Sequence, residues 1–129
     1  TRVDWPLIGR VAACRPILAE ENVEAHFDVD PALFAARPHY LLRVRGDSMI
    51  DAGILPDDLV AVHKTADATI GQITVVRLED EVTVKRWRRD GRRVVLEAAN
   101  QAYPPIIVDP AQTTVAVEGR VVGLIRRDF

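Results

Sequence analysis

The segment Glu81-Val82-Thr83-Val84-Lys85-Arg86-Trp87, followed by Arg88-Arg89-Asp90-Gly91 and Arg92-Arg93-Val94-Val95-Leu96-Glu97-Ala98, reads as a β-hairpin. Val82 and Val84 alternate with polar Thr83 and Lys85, the period of a pleated strand. Asp-Gly between two such runs is a strong short-range hairpin signal, because the turn needs residues that tolerate positive φ. The run from Lys85 to Arg93 carries six bases and one acid. On a hairpin tip such a run reads as a solvated end. Trp87 is its only aromatic, which is too little for a stacking platform that would hold nucleic acid.

The same period extends outward in both directions. Tyr40–Arg45, Leu59–His63, Gln72–Leu78 and Val115–Arg126 are alternating or short apolar runs rich in β-branched residues. Leu55-Pro56-Asp57-Asp58, Ile70-Gly71 and Tyr103-Pro104-Pro105 separate them with turn chemistry. Asp30-Pro31-Ala32-Leu33-Phe34 predicts one capped helical turn, with Asp30 at the N-cap and Pro31 at N1. No long amphipathic helix, repeat or low-complexity tract is present. The fold class is therefore mainly β, a compact domain of short antiparallel strands with one or two helical turns.

Composition sets the outer bounds. The chain has 129 residues, 48% hydrophobic and 28% charged, which suits one domain with a genuine core. Aromatics are only 5%, so aliphatic side chains must do the packing. A net charge of −2 argues against a dedicated nucleic-acid-binding domain. A single cysteine excludes an internal disulfide. No apolar run approaches the roughly 20 residues of a membrane span. Arg2, Asp4 and Arg10 interrupt any signal-peptide pattern. The expectation is a soluble cytoplasmic protein.

The first thirty residues differ in character. Trp5–Leu18 is apolar without a clean period, and residues 20–30 carry five acids and no base. Val11-Ala12-Ala13-Cys14 is small and adaptable, the kind of backbone a protease binds as a strand. An edge strand followed by a loop is the reading that periodicity alone favours.

Few residues offer chemistry. His26, His39, His63 and Cys14 fit no metal-ligand spacing, and no local signature makes Cys14 a nucleophile. There is no glycine-rich phosphate loop and no evident carboxylate pair. In Arg45-Gly46-Asp47-Ser48-Met49, a strand ends at a glycine that permits a sharp turn. A serine there can present its hydroxyl beside backbone N–H groups, the usual material of an oxyanion hole. Ser48 could as simply cap the following turn. A nucleophilic serine needs a base, and Lys85 can serve only if desolvated. At its ordinary pKa near 10.4, under about 0.1% of lysine is neutral at pH 7.

Leu41–Met49, Gly53-Ile54, Asp58–Thr65, Glu81–Arg86, Leu7–Ala13 and Val117–Arg126 together resemble the C-terminal domain of the LexA repressors of the bacterial SOS response. Ser48 and Lys85 stand 37 positions apart, as that family's nucleophile and base do. The resemblance covers essentially the whole chain. It implies a LexA-like or signal-peptidase-like fold of short twisted sheets and a self-cleaving Ser–Lys peptidase that uses no metal and no other cofactor.

Mapped residue by residue, the resemblance implies that Ser48 attacks the Ala13 carbonyl and that Lys85 takes its proton. Val11 and Ala12 would fill small apolar pockets, N–H groups around Asp47 and Ser48 would hold the oxyanion, and Thr83 would orient the amine. The bond cut is Ala13–Cys14. Here the chain departs from the family, since cysteine stands where glycine is usual. Residues 1–30 are expected to form a mobile cleavage-site segment and linker remnant, and 31–129 the peptidase and dimerisation domain. The family's N-terminal winged helix-turn-helix, which reads operator DNA, has no counterpart in this chain. Implied partners are a second copy joined through the C-terminal strands Thr113–Arg126, and the RecA filament on single-stranded DNA. No membrane partner is implied. A UmuD-like polymerase subunit and a non-catalytic dimerisation module are the rival readings.

Overall fold

A computed structural model describes residues 3–127, and its architecture is a single mixed sheet. The strands are β1 (Val3–Ile8), β2 (Val23–Val29), β3 (Tyr40–Arg43), β4 (Leu59–His63), β5 (Ile73–Leu78), β6 (Glu81–Asp90), β7 (Arg93–Glu97), β8 (Ile106–Val108) and β9 (Val115–Ile125). Their spatial order is β2-β1-β3-β4-β9-β5-β6-β7-β8. All neighbours are antiparallel except β1 and β3, which meet in parallel at Leu7↔Leu41 and Ile8↔Leu42. Three 3-10 turns complete the described residues: Glu20–Asn22, Pro31–Leu33 and Ile50–Ala52. Asp30 caps the second as its sequence predicts, its carboxylate accepting the Ala32 N–H at 2.9 Å.

The hairpin that opened the sequence reading is present, with β6 paired to β7 from Arg86↔Glu97 to Asp90↔Arg93. Strands β3, β4, β5 and β9 also lie where their alternation predicts. Strands β2 and β8 were not anticipated, and β1, which the sequence offers as an edge strand, is paired on both sides. In β2 half-buried and exposed residues do alternate, but glutamate, histidine and aspartate occupy the outward positions and disguise it as an acidic loop. In β1, Pro6 breaks the period; it precedes the two residues that meet β3, so its missing N–H costs no bond to that strand. Strand β8 is only three residues long.

The first thirty residues thus divide differently from the expectation of one mobile segment. Trp5, Leu7 and Ile8 are buried, and β1 and β2 form one end of the sheet. Burying these large side chains is worth about 1.5–3 kcal/mol each. Among described residues 3–29, only the connection at residues 9–22 lies outside strand pairing.

The core falls into three clusters. Ile8, Tyr40, Leu42, Val60, Val62, Val75 and Val84 belong to the central one, with Met49 and Ile54. Trp5, Leu7, Leu41, Leu59 and Ala61 pack at the β1–β2 end, and Val76, Trp87, Val94, Leu96 and Val108 under the β6–β8 end.

β9 is not the unprotected edge that its position in the chain predicts. It runs between β4 and β5, pairing residues 115–120 with β5 and 120–125 with β4. Gly119 sits at this handover, where a Cβ would lie 2.5 Å from the Val62 side chain and 2.6 Å from the His63 carbonyl. Only glycine fits. At the far end, the Arg126 guanidinium holds the buried Asp58 carboxylate with bonds of 2.7 and 2.6 Å, while Asp58 also accepts the Leu55 N–H. The guanidinium beside it keeps the Asp58 carboxyl below the usual carboxylate range. Val44, at the end of β3, is tied to the same loop through the Asp58 carbonyl at 2.8 Å. The turn that carries Ser48 therefore springs from a braced base.

Candidate active site

The chain leaves β3 at Val44 and turns at Gly46, whose φ of +75° is the left-handed region. The next residues present Ser48 half-buried, while its neighbour Met49 is sunk in the central core. That burial fixes the turn from below. From the side, the loop after β7 clamps it: the Ala99 N–H donates to the Ser48 carbonyl at 2.9 Å and the Asp51 N–H to the Ala99 carbonyl at 2.8 Å. Asn100 Nδ2 donates to the Asp47 carbonyl at 2.9 Å, and the Tyr103 hydroxyl donates to the Asp47 carboxylate at 2.5 Å. That carboxylate raises the Tyr103 pKa, since it stabilises the protonated phenol.

β6 brings Lys85 to the same place. Its Nζ lies 3.0 Å from Ser48 Oγ and 2.6 Å from Thr83 Oγ1. Thr83 and Lys85 are two apart in a strand, so they share a side as the alternation predicts. Lys85 is 7% exposed, and its Cα partner across the ladder is the fully buried Thr74. No carboxylate pairs with the amine among the described residues. Burial alone acts on it and lowers its pKa from the ordinary lysine value. A serine hydroxyl is thus held against a lysine that is unusually easy to deprotonate.

A cleft of about 460 Å³ opens beside this pair. Val44, Ser48, Thr83 and the flanking Val82 and Val84 line it, and Val11 borders it from the other side. Its walls combine these aliphatic side chains with the charged Arg10, Arg43, Arg45, Asp80 and Glu81.

Of the sequence-predicted residues, Ser48, Lys85, Thr83 and Asp47 converge, and Val11 reaches the rim. Ala12, Ala13 and Cys14 do not. They are exposed on a turn closed by the Arg15 N–H to the Ala12 carbonyl at 3.3 Å. Cys14 sits in that turn at φ +61°, a conformation natural for glycine and costly for a residue with a Cβ. Asn22, Arg77, Asn100 and Tyr103, which hold the two loops, have no signal in periodicity or spacing. Each acts through a bond to distant backbone or to one side chain that only folding brings near.

The chain is 56% identical over 121 residues to the LexA repressor of Shewanella piezotolerans, an alignment covering 94% of this chain and 59% of that protein. It is 55% identical to the LexA repressor of Vibrio cholerae (strain O395) and 54% identical to that of Photobacterium profundum. Those alignments cover 94% of this chain and 58% and 63% of the relatives. The chain spans about three fifths of the length of these curated relatives. The model of one family, described as Peptidase S24-like, matches residues 6–122. That range takes in the cleft, the Ser48–Lys85 contact and every strand from β2 to β8. With so much of the sheet inside one match, the chain belongs to the Peptidase S24-like family.

Proposed function

We propose that this chain is the self-cleavage and dimerisation part of a LexA-like repressor, with Ser48 as nucleophile and Lys85 as general base. The observation that carries the reading is the 3.0 Å approach of Nζ to Ser48 Oγ by an amine that is buried and has no acidic partner among the described residues. A lysine in that setting gives up its proton more easily and can then accept one from serine.

In the proposed sequence, Ser48 Oγ attacks the Ala13 carbonyl carbon as its proton passes to neutral Lys85. Backbone N–H groups around Asp47 and Ser48 stabilise the oxyanion, and the Asn100 and Tyr103 bonds to Asp47 keep that loop from relaxing. Collapse of the tetrahedral species breaks the Ala13–Cys14 bond, and the lysine ammonium protonates the departing Cys14 amine. Water then releases Ala13 from the serine ester. Thr83 keeps Nζ aimed at the hydroxyl throughout.

The exposure of Ala12 and Ala13 supports a resting form in which the substrate segment is undocked, so the cleavable form is a minority. An activator can raise the rate only by binding that minority form more tightly. By the family likeness the activator is the RecA filament on single-stranded DNA, and cleavage separates this domain from a winged helix-turn-helix outside the chain that holds operator DNA. The setting is the bacterial cytoplasm. The test is mass spectrometry of the products made by alkali and by RecA filaments. Both reactions are expected to yield new ends at Ala13 and Cys14. Cuts at different bonds, or RecA-stimulated cutting of a Ser48→Ala protein, would overturn the reading.

Self-association also has support. The side of residues 122–125 turned away from β4 has no ladder partner among the described residues, although β9 lies inside the sheet. A second copy can pair there about a two-fold axis. Proline at Val122 is expected to weaken the dimer at least tenfold in sedimentation equilibrium. An unchanged dissociation constant would move the interface elsewhere.

A further inference from the structure

The connection between β1 and β2 is more ordered than a tether needs to be: Ile17 is sunk in the central core, and one buried polar side chain bonds to several points of its backbone. Asn22 is 2% exposed, and every hydrogen bond of its amide goes to the backbone of this connection. Its Oδ1 accepts the Ala12 N–H at 2.8 Å; its Nδ2 donates to the Pro16 carbonyl at 2.9 Å and the Ile17 carbonyl at 3.2 Å. Its own carbonyl accepts the Gly9 N–H at 3.2 Å. These bonds reach both flanks of the Ala13–Cys14 bond and draw them together into the turn. A second hold comes from β5. Arg77 Nη2 donates to the Arg15 carbonyl at 2.8 Å, while its Nε is fixed by Glu118 at 3.0 Å. Among the described residues, no hydrogen bond joins 12–15 to the Ser48 loop or to β6.

A peptide presented for attack must be extended, with its amide groups available to the cleft. The turned loop spends the Ala12 N–H, the Ala12 carbonyl and the Arg15 carbonyl on internal and clamp bonds. The two arrangements are mutually exclusive. We propose that Asn22, with Arg77 as its second arm, is a brake: a positioning residue that holds the scissile turn off the Ser48–Lys85 pair, so that docking begins with the loss of its bonds. This rests on the self-cleavage reading above, but the clamp itself can be tested without cleavage.

Self-cleavage is measured at several alkaline pH values for the parent, Asn22→Ala, Asn22→Asp and Arg77→Gln. The net worth of the lost bonds is one or two ordinary hydrogen bonds. Asn22→Ala is therefore expected to cleave about tenfold faster, a shift of ~1.4 kcal/mol in the docking equilibrium. Asn22→Asp keeps the acceptor for Ala12 but loses both donors, and should lie between. The pH profiles should keep the parental midpoint, because the brake changes how often the loop docks and not the dyad. A purely structural asparagine would lower the melting temperature without raising the rate. In parallel, hydrogen exchange is followed in the Ser48→Ala background, where no cut can intervene. There the Ala12 and Arg15 amides should exchange at least fivefold faster once Asn22 is replaced by alanine. Slower cleavage by Asn22→Ala, or unchanged exchange at Ala12, overturns the brake. A parent that never cleaves while the exchange result holds would overturn the self-cleavage reading and leave the clamp standing.

Discussion

Alanine at Ser48 or at Lys85 is expected to lower the self-cleavage rate at least about a thousandfold, and the double variant to cleave no more slowly than either single one. The two groups act as a unit, so losing one forfeits the pathway that the other serves. Without Lys85, no neutral amine lies within reach of Ser48 Oγ; without Ser48, the lysine has nothing to activate. Both variants should fold. The bond that clamps the Ser48 turn runs from the Ala99 N–H to a backbone carbonyl and survives loss of the hydroxyl. Lys85→Ala removes a buried amine that no carboxylate among the described residues pairs with, so none of these is left as an orphaned charge. Gel analysis of timed alkaline incubations gives the rates, and thermal melting shows the fold. Parental-rate cleavage by Lys85→Ala would remove lysine from the mechanism.

The second large effect is the pH dependence. The rate should climb about tenfold per pH unit from neutrality, then level off below pH 10.5, because burial lowers the Lys85 pKa from that ordinary value. While the docked form is a minority, the midpoint reports the lysine in the resting molecule, the state whose geometry is described above. The same group links pH to stability. Between its folded and unfolded pKa values the unfolded chain binds more protons, so stability rises with pH through that window and the gain is complete near 10.5. Below the folded pKa the buried charge is a constant penalty. The melting temperature of Lys85→Ala should lack this alkaline rise. A flat rate profile between pH 7 and 10 would exclude a titrating lysine, whatever the alanine variants do.

Strand β6 could be read in advance because its alternation is strict and its turn is Asp-Gly. β3, β4, β5 and β9 could be read as alternating or short apolar runs bounded by turn residues. β2 could not, since Glu24, His26 and Asp28 face outward and make a strand look like an acidic tether. β1 shows no clean period, because tertiary burial of Trp5, Leu7 and Ile8 overrides a proline. Ser48, Lys85 and Thr83 were legible as candidates, the last two through strand parity. Their meeting across 37 positions was an expectation carried by likeness to a family, because no local rule pairs a loop serine with a strand lysine.

Taken alone, the sequence determined the local terms: residue period, turn chemistry, the cap at Asp30, and a glycine where the backbone must turn before Ser48. These depend on neighbours within a few positions, so composition and spacing express them. Only the tertiary structure decided that β9 lies inside the sheet, that Lys85 is buried enough for its pKa to be lowered, and that Asn22 grips both flanks of Ala13–Cys14. Each of those is set by what packs against a group from elsewhere in the chain. Desolvation and long-range hydrogen bonds are properties of the folded surroundings, and a string of residues carries them only once the sheet has closed around them.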